Sequence, residues 1–299
     1  MISLEWKPVR LENLAELRQA LALKNPEVSE LSLANLFLWQ EFDRPQMAKW
    51  ENYIFLKLSP PNEPAYGLEP LGPLPTPSVL ETCLRQVGRL SRLPATILPL
   101  LPAGKFIIKE NRDQFDYLYS REEMVNLRGK KFDGKRNLLR RFRQACPDFE
   151  FKIIGQVEER QQKEILSFFL SWAKEKDRVN GLTSLGVEDQ ALALKNALDL
   201  WDDLGLLGGL LLYKREIKGF IVASRLNRDT AVVHFQYADL SSPGAAQTLL
   251  WEACLSLLQP FPLINLEQDL GIPGLRKAKL SYHPVRLIAK YDVEPLSSS

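Results

Sequence analysis

Cysteine and histidine are scarce in this chain: its 299 residues hold three cysteines and two histidines. Cys83, Cys146 and Cys254 sit far apart, without the spacing of a zinc site or a redox pair. An odd, sparse set of this kind reads as reduced, buried thiols and a cytoplasmic location. No His/Cys/carboxylate cluster has metal-ligand spacing, and no Ser-His-Asp order stands out, so no metal is expected. Long apolar runs are missing too. Leu204 to Tyr213 comes nearest, but it is too short to cross a bilayer and carries three glycines. The opening MISLEWKPVRLENL does not have the charged-then-apolar layout of a signal peptide. Net charge is only +2, so the whole-chain average points to no particular partner.

What is present is a soluble globular composition, 45% hydrophobic and 25% charged, long enough for two domains. The charge is concentrated. Between Leu127 and Gln144 eight basic residues (Arg128, Lys130, Lys131, Lys135, Arg136, Arg140, Arg141, Arg143) face one acid, Asp133. Gly271 to Lys290 carries five basic residues and no acid. Two such segments in a near-neutral protein suggest an anionic ligand if they meet in space.

EWKPVRLENLAELRQALAL reads as a short strand and then a helix, with Leu14, Leu17 and Leu21 at helical spacing. FEFKIIGQVEERQQKEILSFFLSW repeats that opening half a chain later, with Ile165, Phe168, Phe169 and Trp172 as its stripe. The recurrence suggests a duplicated domain. Leu206 to Asp239 is a three-stranded meander broken at KREIK and NRD. LSSPGAAQTLLWEACLSLL follows as a helix, PLINLE as a buried strand and VRLIAKYDV as the last strand. In the first half, ENYIFLKL and PAYGLEPLG form a hairpin, Ser78 to Leu93 a helix, and KFIIKENRDQFDYLYS an extended run. Ser297 to Ser299 read as a frayed end. The layering is α/β or α+β, with mixed, mostly antiparallel sheets flanked by helices.

Several stretches carry possible chemistry. From Asp133, a plausible N-cap, the basic segment becomes a helix with Arg136, Arg140 and Arg143 on one face and Leu138, Leu139 and Phe142 on another. That face is either simply solvated or binds phosphate, since arginine forks match phosphate oxygens. SSPGAA opens a helix directly after a strand, so its backbone amides around Gly244 could seat an anion or merely start a helix. His234 and Gln236 share one face of the strand VVHFQYAD. His234 is either a satisfied structural group or an acid–base catalyst. In NLEQDLGIPGLRKAKLSYHP, Glu267 and Asp269 precede a tight turn, and Arg276, Lys277, Lys279, Ser281, Tyr282 and His283 follow. The carboxylates either act as a base or fix Arg276 and Lys279 in a salt-bridged clamp.

Three of these stretches, in order, resemble one family. LRGKKFDGKRNLLRRF is similar to the GKKxxxKRNxxxxF box of proteins like the C-terminal domain of phosphatidylglycerol lysyltransferases. VHFQYAD resembles that family's VHIEKAD, and INLEQDLGIPGLRKAKLSYHP its INREEDLGxxGLRKAKxSYxP. Lys131, Lys135, Arg136, Asn137, His234, Asn265, Glu267, Asp269, Gly274, Arg276, Lys277, Lys279, Ser281 and Tyr282 match. Gln236, Tyr237, Leu266 and Gln268 depart from the pattern. The resemblance implies two tandem GNAT-like (acyl-CoA N-acyltransferase) domains, expected at residues 1–128 and 129–299, the second opening with a basic bridging helix. It implies transfer of an acyl or aminoacyl group from acyl-CoA or aminoacyl-tRNA to an amine or hydroxyl. Glu267 or His234 would be the base and Tyr282 the proton donor. Lys131, Lys135, Arg136, Arg140, Gly244, Asn265, Asp269, Arg276, Lys277 and Lys279 would hold the donor. Peripheral contact with anionic lipid, and a non-catalytic module for a nucleotide, RNA or lipid head group, are the further expectations.

Overall fold

The computed structural model describes residues 4–180 and 186–296; Ser297 to Ser299, expected to fray, lie outside them. Contacts group the chain into two units, Met1–Asp116 with Gln268–Gly271 and Leu287–Ser299, and Tyr117–Glu267 with Ile272–Arg286. Each sheet has seven strands. The units interleave in sequence and do not follow a division at 128/129. Strand Asp116–Ser120 pairs antiparallel with Leu263–Asn265. Strand Lys290–Pro295 pairs with Leu90–Pro94 on one side and Phe106–Glu110 on the other. The basic helix Asp133–Ala145 lies wholly within the second unit.

In the first unit the sheet runs Lys7–Pro8, Gln46–Trp50, Tyr53–Leu58, Tyr66–Gly67, Leu90–Pro94, Lys290–Pro295, Phe106–Glu110. Thr76 accepts the Val79 N–H and Pro77 follows it, a sound start for helix Pro77–Val87. Its buried face (Val79, Leu80, Cys83, Leu84, Val87) packs on Tyr53, Phe55, Leu90, Leu93 and Val293. The helix expected over Ser78 to Leu93 stops early: Gly88 takes φ +83, and Leu90–Pro94 becomes a core strand. The extended run around Asn111 likewise divides. Phe106–Glu110 belongs to one sheet and Asp116–Ser120 to the other, with a single helical turn at Arg112–Gln114 between them. The last strand divides too, into Arg286–Ile288 and Lys290–Pro295.

Lys290 anchors that final strand. Its side chain is fully buried, and Nζ donates to Asp116 Oδ1 at 2.7 Å and to Glu30 Oε2 at 2.6 Å. Ser29 adds its N–H to Asp116 Oδ2 at 2.7 Å. Burial would push the ammonium down, but Asp116 and Glu30 outweigh it and hold Lys290 above its ordinary value. Burial raises Glu30 despite Lys290. Nearby, Arg92 makes a two-pronged contact with Glu63 at 2.5 and 3.3 Å and lies over the Tyr66 ring.

The second sheet runs Arg286–Ile288, Asp116–Ser120, Leu263–Asn265, Thr230–Ala238, Glu216–Arg225, Leu207–Tyr213, Glu150–Ile154. The meander follows its polar breaks. Lys214 and Arg215 both take positive φ, as a two-residue hairpin turn requires. Asp133 is not a cap. It is the first residue of its helix, following Phe132, and pairs with Arg136. All three cysteines are buried.

Asp43 sets a pH dependence in the first unit. Burial, followed by Glu30 and Glu63 against an opposing Arg92, pushes its carboxyl from 3.8 up to about 7. The folded chain therefore keeps a proton that the unfolded chain releases near pH 4. This contribution to stability is complete below about pH 4 and is lost as pH rises through 7. Urea unfolding between pH 5 and 7 should show wild type losing about 1 kcal/mol per pH unit relative to Asp43→Asn.

Candidate active site

The second sheet has a parallel pairing, Thr230 to Val232 against Leu263 to Asn265. Beyond it the first strand continues to Ala238 while the second ends at Asn265, so the two part at their carboxyl ends, where ligands enter open α/β sheets. His234 sits at that parting as the extra residue of a β-bulge. Val222 pairs with Phe235 and Ala223 with Val233, so His234 has no register partner. Its side chain is completely buried, although the residue as a whole is not; what the bulge exposes is main chain.

Both imidazole nitrogens are engaged. Nε2 lies 2.8 Å from Ser224 Oγ, and Nδ1 lies 3.1 Å from Glu267 Oε1. Ser224 is buried, whereas the Glu267 side chain keeps 19% of its exposure. Glu267 is held by its backbone in left-handed φ (+57). Its N–H donates to Asn265 Oδ1 at 2.7 Å, and its carbonyl accepts from Tyr117 N–H at 3.3 Å. Asn265, itself fully buried, thus fixes the turn that carries the carboxylate.

A second cluster stands on helix Pro273–Leu280 and the turn after it. Lys279 Nζ donates to the Leu266 carbonyl, next to Glu267, and lies 5.6 Å from the Tyr117 ring centroid. Tyr119 hydroxyl donates to the Lys279 carbonyl at 2.8 Å, and its ring meets Tyr282 edge-on. Lys135 lies 3.5 Å above the Tyr282 ring and donates to Ser281 Oγ at 2.6 Å. Lys135 is 9% exposed, and burial pushes it down to about 8. Tyr282 hydroxyl is buried without a hydrogen-bond partner among the described residues, and burial raises its pKa. It lines a cavity of about 10 Å³ with Met124, Leu127, Lys135, Leu139, Gln247, Leu250 and Trp251, room for about one water.

The remaining expected residues separate. Arg136 holds its own loop through the Leu127 and Gly129 carbonyls and Asp133. Lys131 pairs with Glu123 at 3.3 Å, and Arg140 bonds to Asn137. Arg276 is half-buried and Lys277 exposed. Asp269 belongs to the first unit, where it is fully buried, contacts Arg112 at 3.1 Å and accepts the Gly271 N–H. Gly271 has φ +72, and a Cβ there would stand 2.8 Å from Asp113 Oδ2. Sequence reading passed over Ser224, Tyr117 and Tyr119; only the bulge and the strand order bring them to the site.

The SSPGAA loop engages a carboxylate of its own. Asp239 accepts Ser241 N–H and both serine hydroxyls at 2.6–2.9 Å, so a carboxylate already occupies those donors. Gly244 has φ +90, and a Cβ there would lie 2.1 Å from the Leu138 carbonyl. Among the departures, Gln236 donates to the Ala246 carbonyl at 2.9 Å. Tyr237 donates to Gln190 at 2.9 Å and packs among Phe169, Trp172 and Phe220. Leu266 contributes its backbone, and Gln268 accepts from Ser29 in the first unit. Among the described residues no His, Cys, Asp and Glu side chains group to hold a metal ion, and no helix is long and apolar enough to cross a membrane.

Two mixed, mostly antiparallel sheets flanked by helices define a tandem GNAT-like fold. A tandem GNAT protein from the clavulanic acid biosynthesis pathway superposes with a TM-score of 0.50 at 9% identity, over 99% of this chain and 100% of its own. The chain matches the family described as phosphatidylglycerol lysyltransferase, C-terminal, over residues 21–294, and belongs to it. A conserved protein of unknown function from Bacteroides thetaiotaomicron is 28% identical, with a TM-score of 0.88 over 98% of this chain and 100% of that one. L-PGS from Bacillus licheniformis is 16% identical, with a TM-score of 0.65 over 95% and 92%. An uncharacterised protein of Mycoplasmoides gallisepticum is 29% identical over 190 residues, 63% of this chain; the match spans 58% of that curated relative's length.

The orphaned Tyr282 hydroxyl separates a structural from a chemical role. Tyr282→Phe removes an unpaired buried group, so thermal unfolding should show stability unchanged or higher by about 1 kcal/mol.

Proposed function

We propose that this protein transfers an aminoacyl group from aminoacyl-tRNA to an amine or hydroxyl, with the chemistry in its second unit. The observation that carries this reading is the Ser224–His234–Glu267 chain, which ends in a carboxylate at the parting strands. Because the imidazole is buried with both nitrogens engaged, Glu267 is the group that meets the acceptor, and His234 and Ser224 orient it. The carboxylate takes the acceptor's proton as oxygen or nitrogen attacks the donor's ester carbonyl. The bond from that carbonyl to the ribose oxygen breaks, and the proton returns to the leaving hydroxyl. Main chain exposed at the His234 bulge supplies a candidate for oxyanion stabilisation.

The filled Asp239 loop and the packed Gly244 favour aminoacyl-tRNA over acyl-CoA. So does the outer face of the basic helix: Arg140, Arg141 and Arg143 are exposed, and Arg141 makes no ion pair among the described residues. Such a donor places the protein in the cytoplasm. A second reading, a non-catalytic module for an anionic ligand, draws on Gln236 and Tyr237, whose polar groups are bonded within the unit.

Turnover assays should offer aminoacyl-tRNA and acyl-CoA in parallel, with amine and hydroxyl acceptors. Glu267→Gln should lower the rate with aminoacyl-tRNA by roughly 10²–10⁴ while keeping tRNA affinity. Turnover with acyl-CoA alone would overturn the donor assignment. If neither donor is used, and Glu267→Gln still binds tRNA like wild type, the non-catalytic reading holds. In filter binding, Arg140→Ala with Arg141→Ala should reduce the slope of log K against log salt by about 1.4–1.8.

A further inference from the structure

The second sheet ends on strand Glu150–Ile154, which pairs with Leu207–Tyr213 on one side and with no strand among the described residues on the other. Glu150, Lys152 and Ile153 are exposed there, Ile153 to 48%. An open edge carrying a raised aliphatic side chain is a template for another strand unless proline, a bulge or a covering element blunts it. This strand has no proline, and its register with Leu207–Tyr213 runs unbroken.

The hairpin next to it fixes which main-chain groups face outward. Tyr213 and Glu216 flank the two-residue turn, so they exchange both of their backbone hydrogen bonds. Alternation along the strand then turns Leu212, Leu210 and Gly208 toward their partners Glu150, Lys152 and Ile154. Phe151 and Ile153 therefore direct N–H and C=O away from the sheet. Glu150 and Lys152 project from one face and Phe151 and Ile153 from the other. Neither Glu150 nor Lys152 makes an ion pair among the described residues.

We infer that this edge pairs antiparallel with the same edge of a second copy of the chain, across a two-fold axis at Phe151. A symmetric antiparallel pair must set one residue opposite itself. With Phe151 in that place, Glu150 faces the second copy's Lys152, and Lys152 faces its Glu150. Both pairs fall at the close positions where cross-strand charges interact most strongly. Phe149, just before the strand, faces Ile153, apolar against apolar. Moving the axis by one residue sets Glu150 against Glu150 or Lys152 against Lys152.

The edge of the other sheet lacks this match, although Ile107 and Ile108 are 37% and 44% exposed. There Lys105 accepts the Leu296 N–H and Asn111 donates to the Lys290 carbonyl, so Phe106, Ile108 and Glu110 face outward. An axis at Ile107 sets Lys105 against Lys109, and one at Ile108 sets Phe106 against Glu110. Each copy thus offers one self-complementary edge, and the pairing closes at a dimer with a sheet continuous through both copies. It uses none of the residues assigned to transfer, so the two readings fail separately.

The test is the molar mass of the full chain by sedimentation equilibrium between about 1 and 100 μM. Wild type should move from monomer to dimer as concentration rises. Glu150→Lys and Lys152→Glu each create two like-charge pairs and should raise the dissociation constant about tenfold or more. An equimolar mixture of these two variants should dimerise like wild type, because opposite charges meet again across the axis. A variant carrying both changes should do the same, a rescue that misfolding would not give. Amide exchange at Phe151 and Ile153 should slow as wild-type concentration rises. The inference fails if wild type stays monomeric or if either single variant dimerises like wild type. It also fails if the mixture stays monomeric.

Discussion

Three consecutive residue pairs, Thr230 to Val232 against Leu263 to Asn265, hold the second sheet together at the place where it must come apart. Everything proposed for the site follows from that short parallel register. Had the pairing continued, the ladder would have consumed the main chain beyond Asn265 and carried Glu267 along a strand. Instead Asn265 turns its amide oxygen onto the Glu267 N–H and bends the chain out. On the facing strand the bulge inserts His234 as an unpaired residue. A left-handed Glu267 is an unfavourable conformation for a side chain with a Cβ, and here three partners hold it: Asn265, Tyr117 and His234.

A different device serves the first unit, where buried charge replaces a local register. Lys290 comes from the far end of the chain and Glu30 from near its beginning, with Asp116 between them. Burying this set is expensive, and pairing Lys290 with two carboxylates and a serine hydroxyl offsets that cost only because each partner is correctly placed. Such a network is a poor source of stability. Its ammonium nonetheless ties the last strand to Glu30 and Asp116. The last strand is thereby assigned to its place between Leu90–Pro94 and Phe106–Glu110.

The layer pattern, the meander and the helix after it were legible in the sequence because local physics decides them: alternation, polar turns, Pro and Gly at helix ends. The three family boxes were legible as residues. What could not be read was which strand crosses to which sheet. Asp116–Ser120 and Phe106–Glu110 look like one extended run, and nothing local to Asn111 says that partners 150 and more residues away divide it. The site suffered in the same way. Glu267 and His234 were visible, but Ser224 is an ordinary strand serine until the bulge turns His234 toward it. Lys135 looked like one more cation in a basic run, and helical periodicity alone did not mark it as the member that turns inward.

The departures from the family pattern fall into two kinds once their partners are known. Gln236 and Tyr237 each satisfy their polar group inside the second unit, and Tyr237 joins an aromatic nest that a charged side chain would have to leave or neutralise. Leu266, by contrast, supplies what the turn needs through its main chain, whose carbonyl takes Lys279 and whose N–H meets Tyr117. A side-chain change there leaves the fixing of Glu267 intact. The substitutions therefore bear on what lies beside the carboxylate rather than on the carboxylate itself. They replace charged residues of the family pattern at Gln236, Tyr237, Leu266 and Gln268, while the basic residues between Leu127 and Gln144 stay.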